Sequence, residues 1–328
     1  MDRGTLIVSL DFELHWGVRD KCTVADYKQN LLGVRDAVPR LLDLFAKHDI
    51  HATWATVGFL FCEDKEEMLG HIPQLLPQYT RDALNPYRHF KDVGENERSD
   101  PFHFAPSLIR QIMQAPGQEL GTHTFSHYYC LETGQTAAEF RSDLNMACRV
   151  AQRLGIALRS IVFPRNQINP AYLPICSEFG ITSYRGTESS ACYAAGENDE
   201  ATRPTRRIQR LFDAYIPVTG CTAYEVEAGV DPVNLRSSRF LRPYSTSARA
   251  FDRLKLRRIC SDMKLAAIEG KAFHLWWHPH NFGTHTSENL QFLERILTHF
   301  ARLRHEHGMQ SCSMLEAAAM VLRPECHA

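Results

Sequence analysis

The feature that most constrains the fold is a set of short, strand-like runs that each end in ionisable residues. Four runs show this pattern: 5–10 before Asp11 and Glu13, 118–122 before His123 and His127, 159–163 before Arg165, and 272–277 before His278 and His280. In α/β barrels the catalytic groups lie at the carboxyl ends of the parallel strands. We therefore predict that these side chains share one catalytic face.

Segments with helical spacing follow most of these runs. In the clearest, apolar residues recur every three or four positions from Phe140 to Leu154, as expected for one face of a helix. Strand and helix alternate along the whole chain, which predicts a parallel sheet covered by helices. About seven strands can be recognised, fewer than in a standard barrel. We therefore predict an α/β fold, a distorted or incomplete (β/α) barrel of about seven parallel strands with loop insertions.

The length of 328 residues suits one catalytic domain of this kind with added loops. We expect residues 1–328 to form a single domain. Polar, turn-rich stretches have few strand or helix signals. They predict insertions near 63–105 and 186–246.

The bulk charge and the apolar pattern exclude several classes of partner. The formal net charge is −1, which gives no electrostatic reason to expect nucleic acid. The basic clusters at 203–210 and 253–258 are interpreted as solvated faces. No apolar stretch approaches the roughly 20 residues of a membrane span. The apolar run at 6–10 breaks at Asp11, unlike a secretory signal, so we expect a cytoplasmic protein.

The histidine pair and the nearby carboxylates predict a metal site. His123 and His127 are spaced H-x-x-x-H, which on a helical turn places both imidazoles on one side; two surface or capping histidines are the alternative. Two histidines and one carboxylate form a catalytic zinc site with a position open to water. Asp11 and Glu13 point the same way in an extended strand, where a helix cap or a surface ion pair is the alternative.

The two carboxylates can divide the work of hydrolysis. One would bind the metal and the other would take a proton from the bound water. We expect Arg165 to hold the second carboxylate ionised, because a neighbouring positive charge lowers a carboxylate pKa.

These segments resemble the polysaccharide deacetylases of carbohydrate esterase family 4. Asp11-Phe12-Glu13 is similar to the family's opening acidic motif, and His123-Thr124-Phe125-Ser126-His127 matches its H-[S/T]-x-x-H motif. Phe163-Pro164-Arg165 is similar to the third motif with proline and arginine in reversed order, and Leu275-Trp276-Trp277-His278 resembles the last motif. The resemblance runs from Thr5 to about His280. The family's fourth motif, an Asp that orients the acid, is not placed.

The resemblance implies a role for each motif residue. Glu13, His123 and His127 would be the metal ligands, with Glu13 standing where Asp is common, and Asp11 would be the base. His278 would protonate the leaving group. Spacing alone does not separate His278 from His280, and we favour His278 because it directly follows the strand and precedes Pro279.

The aromatic residues near these motifs are candidates for contact with a sugar ring. We expect Trp16, Tyr128, Trp277 and His280 to bind substrate, although ordinary packing is the alternative for each aromatic ring. His274, within the strand, is interpreted as a core histidine with satisfied hydrogen bonds.

Together these features predict a metal-dependent N-deacetylase that acts on an N-acetylated sugar or glycan intermediate. A divalent metal is expected, with zinc as the first choice. The substrate could be nucleotide-linked, lipid-linked or free. Alternatives are hydrolysis of a small non-sugar amide, such as a ureide or cyclic imide, and a carbohydrate-binding relative without catalysis.

Overall fold

The computed structural model describes residues 3–194, 196 and 203–322. Residues 1–2, 195, 197–202 and 323–328, which belong to the predicted domain and in part to its insertion at 186–246, lie outside the described residues. The strands are β1 Thr5–Phe12, β2 Ala52–Thr56, β3 Gln118–Thr122, β4 Ser160–Ile161, β5 Ser183–Tyr184, β6 Val233–Asn234, β7 Arg239–Phe240, β8 Ala272–Trp277 and β9 Gln310–Cys312.

Helices follow most strands and pack around the sheet. They are α1 Val24–His48, α2 Lys65–Gly70, α3 Pro106–Gln114, α4 Ala137–Gln152, α5 Leu173–Glu178, α6 Pro204–Asp213, α7 Asp252–Glu269, α8 Thr286–His307 and α9 Met314–Leu322. Thr23 precedes helix α1 and caps it. Its hydroxyl accepts a hydrogen bond from the Asp26 backbone N–H, and the Asp26 side chain accepts one from the Thr23 backbone N–H. This pair of hydrogen bonds is a capping box. Among the described helices, none combines the length and the apolar character needed to cross a bilayer.

The strands form one parallel sheet that curls into a barrel. Their order is β6-β5-β4-β3-β2-β1-β8-β7, and β9 pairs with the start of β1. Every residue of β1 is buried, as expected for a central strand covered on both faces. Because β1 is central, the polar residues at its carboxyl end lie near the barrel axis.

A single bent segment, 233–241, links the two edges of this sheet. Its first half pairs with β5 as β6, and its second half pairs with β8 as β7. The backbone N–H groups of Ser237 and Ser238 donate to Gly186 on one side and to His274 on the other. The sheet is therefore a closed but irregular ring.

The predicted distorted (β/α) barrel is confirmed. All seven strand-like runs of the sequence are strands, and two more, β6 and β7, lie in the stretch predicted as an insertion. Each of these extra strands has only two residues, too short to produce a recognisable alternation of polar and apolar positions.

Candidate active site

The three predicted metal ligands, Glu13, His123 and His127, converge at the carboxyl edge of the sheet. The Glu13 Oε2 atom lies 3.0 Å from His127 Nε2 and 3.2 Å from His123 Nε2. All three side chains are buried, and one potential ligand atom from each lies within 4.8 Å of the others. Gly17 makes room for the carboxylate, because a Cβ atom at this position would lie 2.0 Å from Glu13 Oε1.

The orientation of His123 is fixed by the backbone of the next strand. Its Nδ1 atom lies 2.8 Å from the Val162 carbonyl oxygen, which can only accept a hydrogen bond. Nδ1 therefore carries the proton, and the lone pair of Nε2 faces Glu13. This second hydrogen bond is the usual way in which proteins orient a metal-binding histidine.

The loop that holds the two histidines is not helical, so the predicted helical turn is wrong. Thr124 and His127 have positive φ angles of 63° and 59°, which are uncommon for residues other than glycine. Asp143 of α4 stabilises this loop by accepting hydrogen bonds from the backbone N–H groups of Phe125 and Ser126 at 2.7 and 3.1 Å, and one from the Ser126 hydroxyl. The imidazoles meet through this bent backbone.

The donor set fits a divalent metal. Ligand atoms around a tetrahedral ion at about 2.1 Å lie roughly 3.4 Å apart, close to the spacing between Glu13 and the two histidines. Burial would raise the pKa of Glu13, but His278, His123 and His127 hold it well below its usual value. Burial lowers the pKa of His127 to about 3 against the opposing effect of Glu13. A neutral histidine and an ionised carboxylate are the forms that bind metal.

Asp11 lies beside this cluster and is paired with Arg185. The guanidinium donates to both carboxylate oxygens, at 2.6 and 2.8 Å, and both side chains are almost fully buried. Burial raises the pKa of Asp11, but the Arg185 charge, the His123 charge, the hydrogen bonds from Arg185 and the His278 charge together outweigh burial, so the pKa is lower than usual. The carboxylate is thus ionised at neutral pH.

The predicted pairing of Arg165 with Asp11 is wrong. Arg165 forms an ion pair with Asp20, and its guanidinium carbon lies 4.6 Å from the centre of the Tyr129 ring. Arg165 and Asn166 both have positive φ angles, 55° and 53°, so the backbone turns away from Asp11 directly after β4. Arg185 occupies the position expected for Arg165, because it follows the next strand, β5.

His278 and His280 both face the cluster, but in different surroundings. His278 Nε2 lies 3.7 Å from Asp11 Oδ2 and 3.6 Å from Glu13 Oε1, and its side chain is 23% exposed. His280 Nε2 lies 4.0 Å from Glu13 Oε1 and is buried. Burial and then the His278 charge lower the pKa of His280 to about 3, so His280 is neutral at physiological pH.

A cavity of about 390 Å³ opens onto these groups. Its walls include Asp11, Glu13, Gly17, Lys21, Tyr27, His127, Arg165, Phe240, Trp276, His278 and His280. The cavity therefore brings the predicted metal ligands Glu13 and His127 together with the predicted base and acid. His280 lines it, as expected of a residue that contacts substrate.

The aromatic residues predicted to bind sugar do not line this cavity, so that prediction is wrong for all three. Trp16, Tyr128 and Trp277 are fully buried in the core. Trp277 stacks on Phe282 at 5.6 Å between ring centres. The aromatic residues that line the cavity are instead Tyr27, Phe240 and Trp276, and the ring centres of Phe240 and Trp276 lie 4.7 Å apart.

Sequence reasoning missed Arg185 and Trp276, although both carry a signal. Arg185 directly follows the run 181–184, the same pattern that identified the other four sites. Trp276 shares strand parity with His278, whereas Trp277 points to the opposite face. His274 is the core histidine that the sequence predicts: its ring nitrogens lie 2.8 Å from Ser9 Oγ and 3.1 Å from the Leu235 carbonyl.

Comparison with known families agrees with this geometry. Residues 25–184 match the family model described as polysaccharide deacetylase. This match covers just under half of the chain. The matched residues include His123, His127 and Asp143, so the predicted resemblance is confirmed. A comparison with curated proteins finds no match.

Solved structures share the polysaccharide deacetylase fold at low sequence identity. A protein from Mycobacterium smegmatis described as a polysaccharide deacetylase has a TM-score of 0.62 and 15% identity, over 100% of this chain and 95% of that one. Another described in the same way, from Pseudomonas aeruginosa PAO1, has a TM-score of 0.56 and 13% identity over 97% and 91%.

The fold also occurs in an enzyme of different description. The 4-alpha-glucanotransferase from Thermococcus litoralis has a TM-score of 0.54 and 10% identity, over 99% of this chain and 41% of that one. The shared barrel therefore does not by itself define the reaction. The chemistry must be argued from the side chains of the cavity.

Proposed function

We propose that this polysaccharide deacetylase family member is a metal-dependent hydrolase that removes the acetyl group from an N-acetylated sugar. The observation that carries the proposal is the convergence of Glu13, His123 and His127 beside a carboxylate–arginine pair and a partly exposed histidine. These groups supply a metal site, a base and an acid around one cavity. Amide hydrolysis requires this combination.

The metal is held by two imidazoles and one carboxylate. A divalent ion in such a site supplies Lewis-acid activation of water and of the amide carbonyl. Zinc is our first choice, because two histidines and a carboxylate with an open position form a common catalytic zinc site. The donor set also suits other first-row divalent ions.

Asp11 is proposed to act as the general base. Arg185 keeps it ionised and fixes the direction of its oxygens through two hydrogen bonds. In the reaction, Asp11 accepts a proton from the water that attacks the acetamide carbon. Because Arg185 holds both oxygens, the base cannot rotate away from the metal site.

His278 is proposed to act as the general acid. It lies close to both Asp11 and Glu13 and is exposed to the cavity, so it can reach the nitrogen of a bound amide. His280 is buried and its pKa is lowered to about 3, so it is not in the imidazolium form at neutral pH, and we assign it to substrate contact. Protonation by His278 allows the amine to leave when the C–N bond breaks.

A carbohydrate substrate is supported by the family match and by the shape of the cavity. Trp276 and Phe240 present aromatic surface beside the proposed acid, as proteins do when they bind sugar rings. A second cavity of about 450 Å³ adjoins the first. A small ureide or cyclic imide would leave most of this space empty.

Acetate release from a panel of N-acetylated saccharides, with and without added zinc, tests the function. We expect metal-dependent release from at least one of them. The Asp11→Asn protein should keep its metal, measured by mass spectrometry, and lose about 10²- to 10⁴-fold in rate, the usual range for a positioned base. The Glu13→Ala protein should lose both metal and activity.

Several results would contradict the proposal. Turnover of cyclic amides without any release of acetate from sugars would assign the small-amide reaction. Stoichiometric metal with no turnover of either class would assign a binding protein. Loss of the metal in Asp11→Asn but not in Glu13→Ala would exchange the two carboxylate roles.

A further inference from the structure

We propose that the substrate carries a diphosphate on the N-acyl sugar, and that a cluster of arginines beside the catalytic cavity binds this diphosphate. The inference rests on the proposed function, because it places the sugar in the catalytic cavity. The arginine cluster is defined as Arg165, Arg207, Arg210 and Arg242. It lines the second cavity, of about 450 Å³.

The two cavities share walls, so one ligand can occupy both. The shared residues are Arg165, Asn166, Arg210, Phe240, Trp276 and His278. His278, the proposed acid, thus stands between the catalytic groups and the arginine cluster. A sugar whose amide reaches Asp11 would direct a substituent elsewhere on its ring into the second cavity.

The second cavity carries an excess of positive charge. Among the described residues that line it there is no carboxylate, whereas five arginines contribute to its walls. The fifth, Arg239, forms ion pairs with Asp213 and Asp262. These two carboxylates neutralise its charge. Lys21 adds a further cation on the catalytic side, and burial together with Arg165 lowers the pKa of Lys21.

The guanidinium groups of the cluster are positioned without being fully neutralised. Arg210 donates to the Cys192 carbonyl at 2.7 Å and Arg242 donates to the Arg210 carbonyl at 3.1 Å. Both acceptors are uncharged. Arg165 pairs with Asp20 through one nitrogen, while its Nε and Nη1 atoms are buried without a hydrogen-bond partner. Buried donors without acceptors are costly, so the single ion pair with Asp20 leaves the hydrogen-bonding capacity of this guanidinium incompletely used.

A diphosphate suits this cluster better than a carboxylate does. A carboxylate carries one charge and is satisfied by a single bidentate arginine. A diphosphate has more charge and more acceptor oxygens, and planar guanidinium groups match phosphate geometry. The cluster offers several cations over an extended wall, so the more highly charged ligand is the one we assign.

This assignment revises the sequence-based interpretation of 203–210 as a solvated face. Helix α6 turns Arg207 and Arg210 toward the cavity, one helical turn apart, while Arg206 is not part of the lining. Arg206 therefore provides a matched control. It has the same residue type and lies on the same helix, and its guanidinium donates to the Ala194 carbonyl at the edge of the cavity without lining the cavity itself.

Calorimetric titration of the metal-loaded enzyme with UDP, geranyl diphosphate and pyrophosphate tests the site directly. All three should bind. Removing charge-assisted hydrogen bonds in the double variant Arg207→Gln/Arg242→Gln should weaken binding by about 10- to 100-fold. Arg206→Gln should bind like the unmodified enzyme, which controls for the loss of an arginine charge that does not line the cavity. Tighter binding of UDP assigns a nucleotide-linked substrate, and tighter binding of geranyl diphosphate a lipid-linked one.

Turnover provides the second measurement. With the double variant, the loss of kcat/KM on a diphosphate-linked N-acetyl sugar should exceed the loss on the free sugar by about tenfold or more. Equal losses on both, or diphosphate binding that is the same in the double variant and in Arg206→Gln, would overturn the proposal while leaving deacetylation intact. Arginine-dependent binding without turnover of any N-acyl sugar would support the site and contradict the proposed function.

Discussion

Asp11 lies near the end of a strand that is buried on both faces, and the charge and the two hydrogen bonds of Arg185 are the main contacts that favour its ionised form there. Its pKa in the folded protein lies below the usual value. The base is therefore active above this lowered pKa and is lost as the pH falls through it. Arg185 acts on the reaction through Asp11, so it is a positioning residue.

Replacing Arg185 should consequently move the acidic limb of the pH–rate profile. In Arg185→Gln the largest influence that lowers the pKa of Asp11 is absent, so the limb should shift to higher pH by about one to three units. Arg185→Lys keeps the charge but not the bidentate hydrogen bonding to Asp11, so it should shift the acidic limb less. The measurement is kcat/KM against pH, with circular dichroism to confirm folding.

Arg165 supplies the control for this experiment. It contacts Asp20 and Tyr129 rather than Asp11. Arg165→Lys should leave the acidic limb at the pH of the unmodified enzyme, whatever happens to its rate. If the acidic limb moved in Arg165→Lys and stayed in place in Arg185→Gln, then Arg165, as predicted from sequence, would be the residue that keeps Asp11 ionised.

The two histidines after β8 can be separated by the leaving group of the substrate. His278→Ala should reduce the rate on an amide much more than on an activated aryl ester, because the ester's leaving group needs no proton. The expected loss on the amide is about 10²- to 10⁴-fold. His280→Ala should affect both substrates alike. The opposite contrast would identify His280 as the acid.

At the scale of elements, the sequence predicts the strands well and the turns poorly. The seven apolar runs are strands because their burial imposes a recognisable pattern. The H-x-x-x-H segment has helical spacing but forms a bent loop, since Asp143 on α4 takes its hydrogen bonds. Asp143 is 17 and 18 residues away from Ser126 and Phe125, and a contact between residues so distant in sequence cannot be recognised from local spacing. The two histidines converge with Glu13 as their spacing predicts, but the backbone that presents them is not the predicted helical turn.

Two errors at the site were within reach of sequence reasoning. Alternation along β8 places Trp276 with His278 and places Trp277 with the core, so strand parity alone identifies the tryptophan that lines the cavity. The run 181–184 ends in Arg185 in the same way as the other runs end in site residues. The backbone turn that removes Arg165 from Asp11, with two consecutive positive φ angles, is a property of the folded chain that the sequence does not reveal.

At the scale of the whole molecule, the site joins strands that are distant in sequence. Glu13 follows β1, His123 and His127 follow β3, Arg185 follows β5 and His278 follows β8. The segment 233–241 closes the ring between β5 and β8, and it also carries Phe240 and Arg239 to the cavities. The segment that closes the barrel thus also forms part of the cavity walls.

A metal shared by Glu13, His123 and His127 would link the ends of β1 and β3, so it should stabilise the whole fold. Binding to the native state alone adds about 2.7 kcal/mol when free metal is a hundredfold above its Kd, which corresponds to roughly several degrees in Tm. We expect a chelator to lower Tm, measured by differential scanning calorimetry, and zinc to restore it. Asp11→Asn should keep this difference and Glu13→Ala should abolish it. Identical Tm values with chelator and with zinc would show that the three side chains do not bind metal in the folded protein.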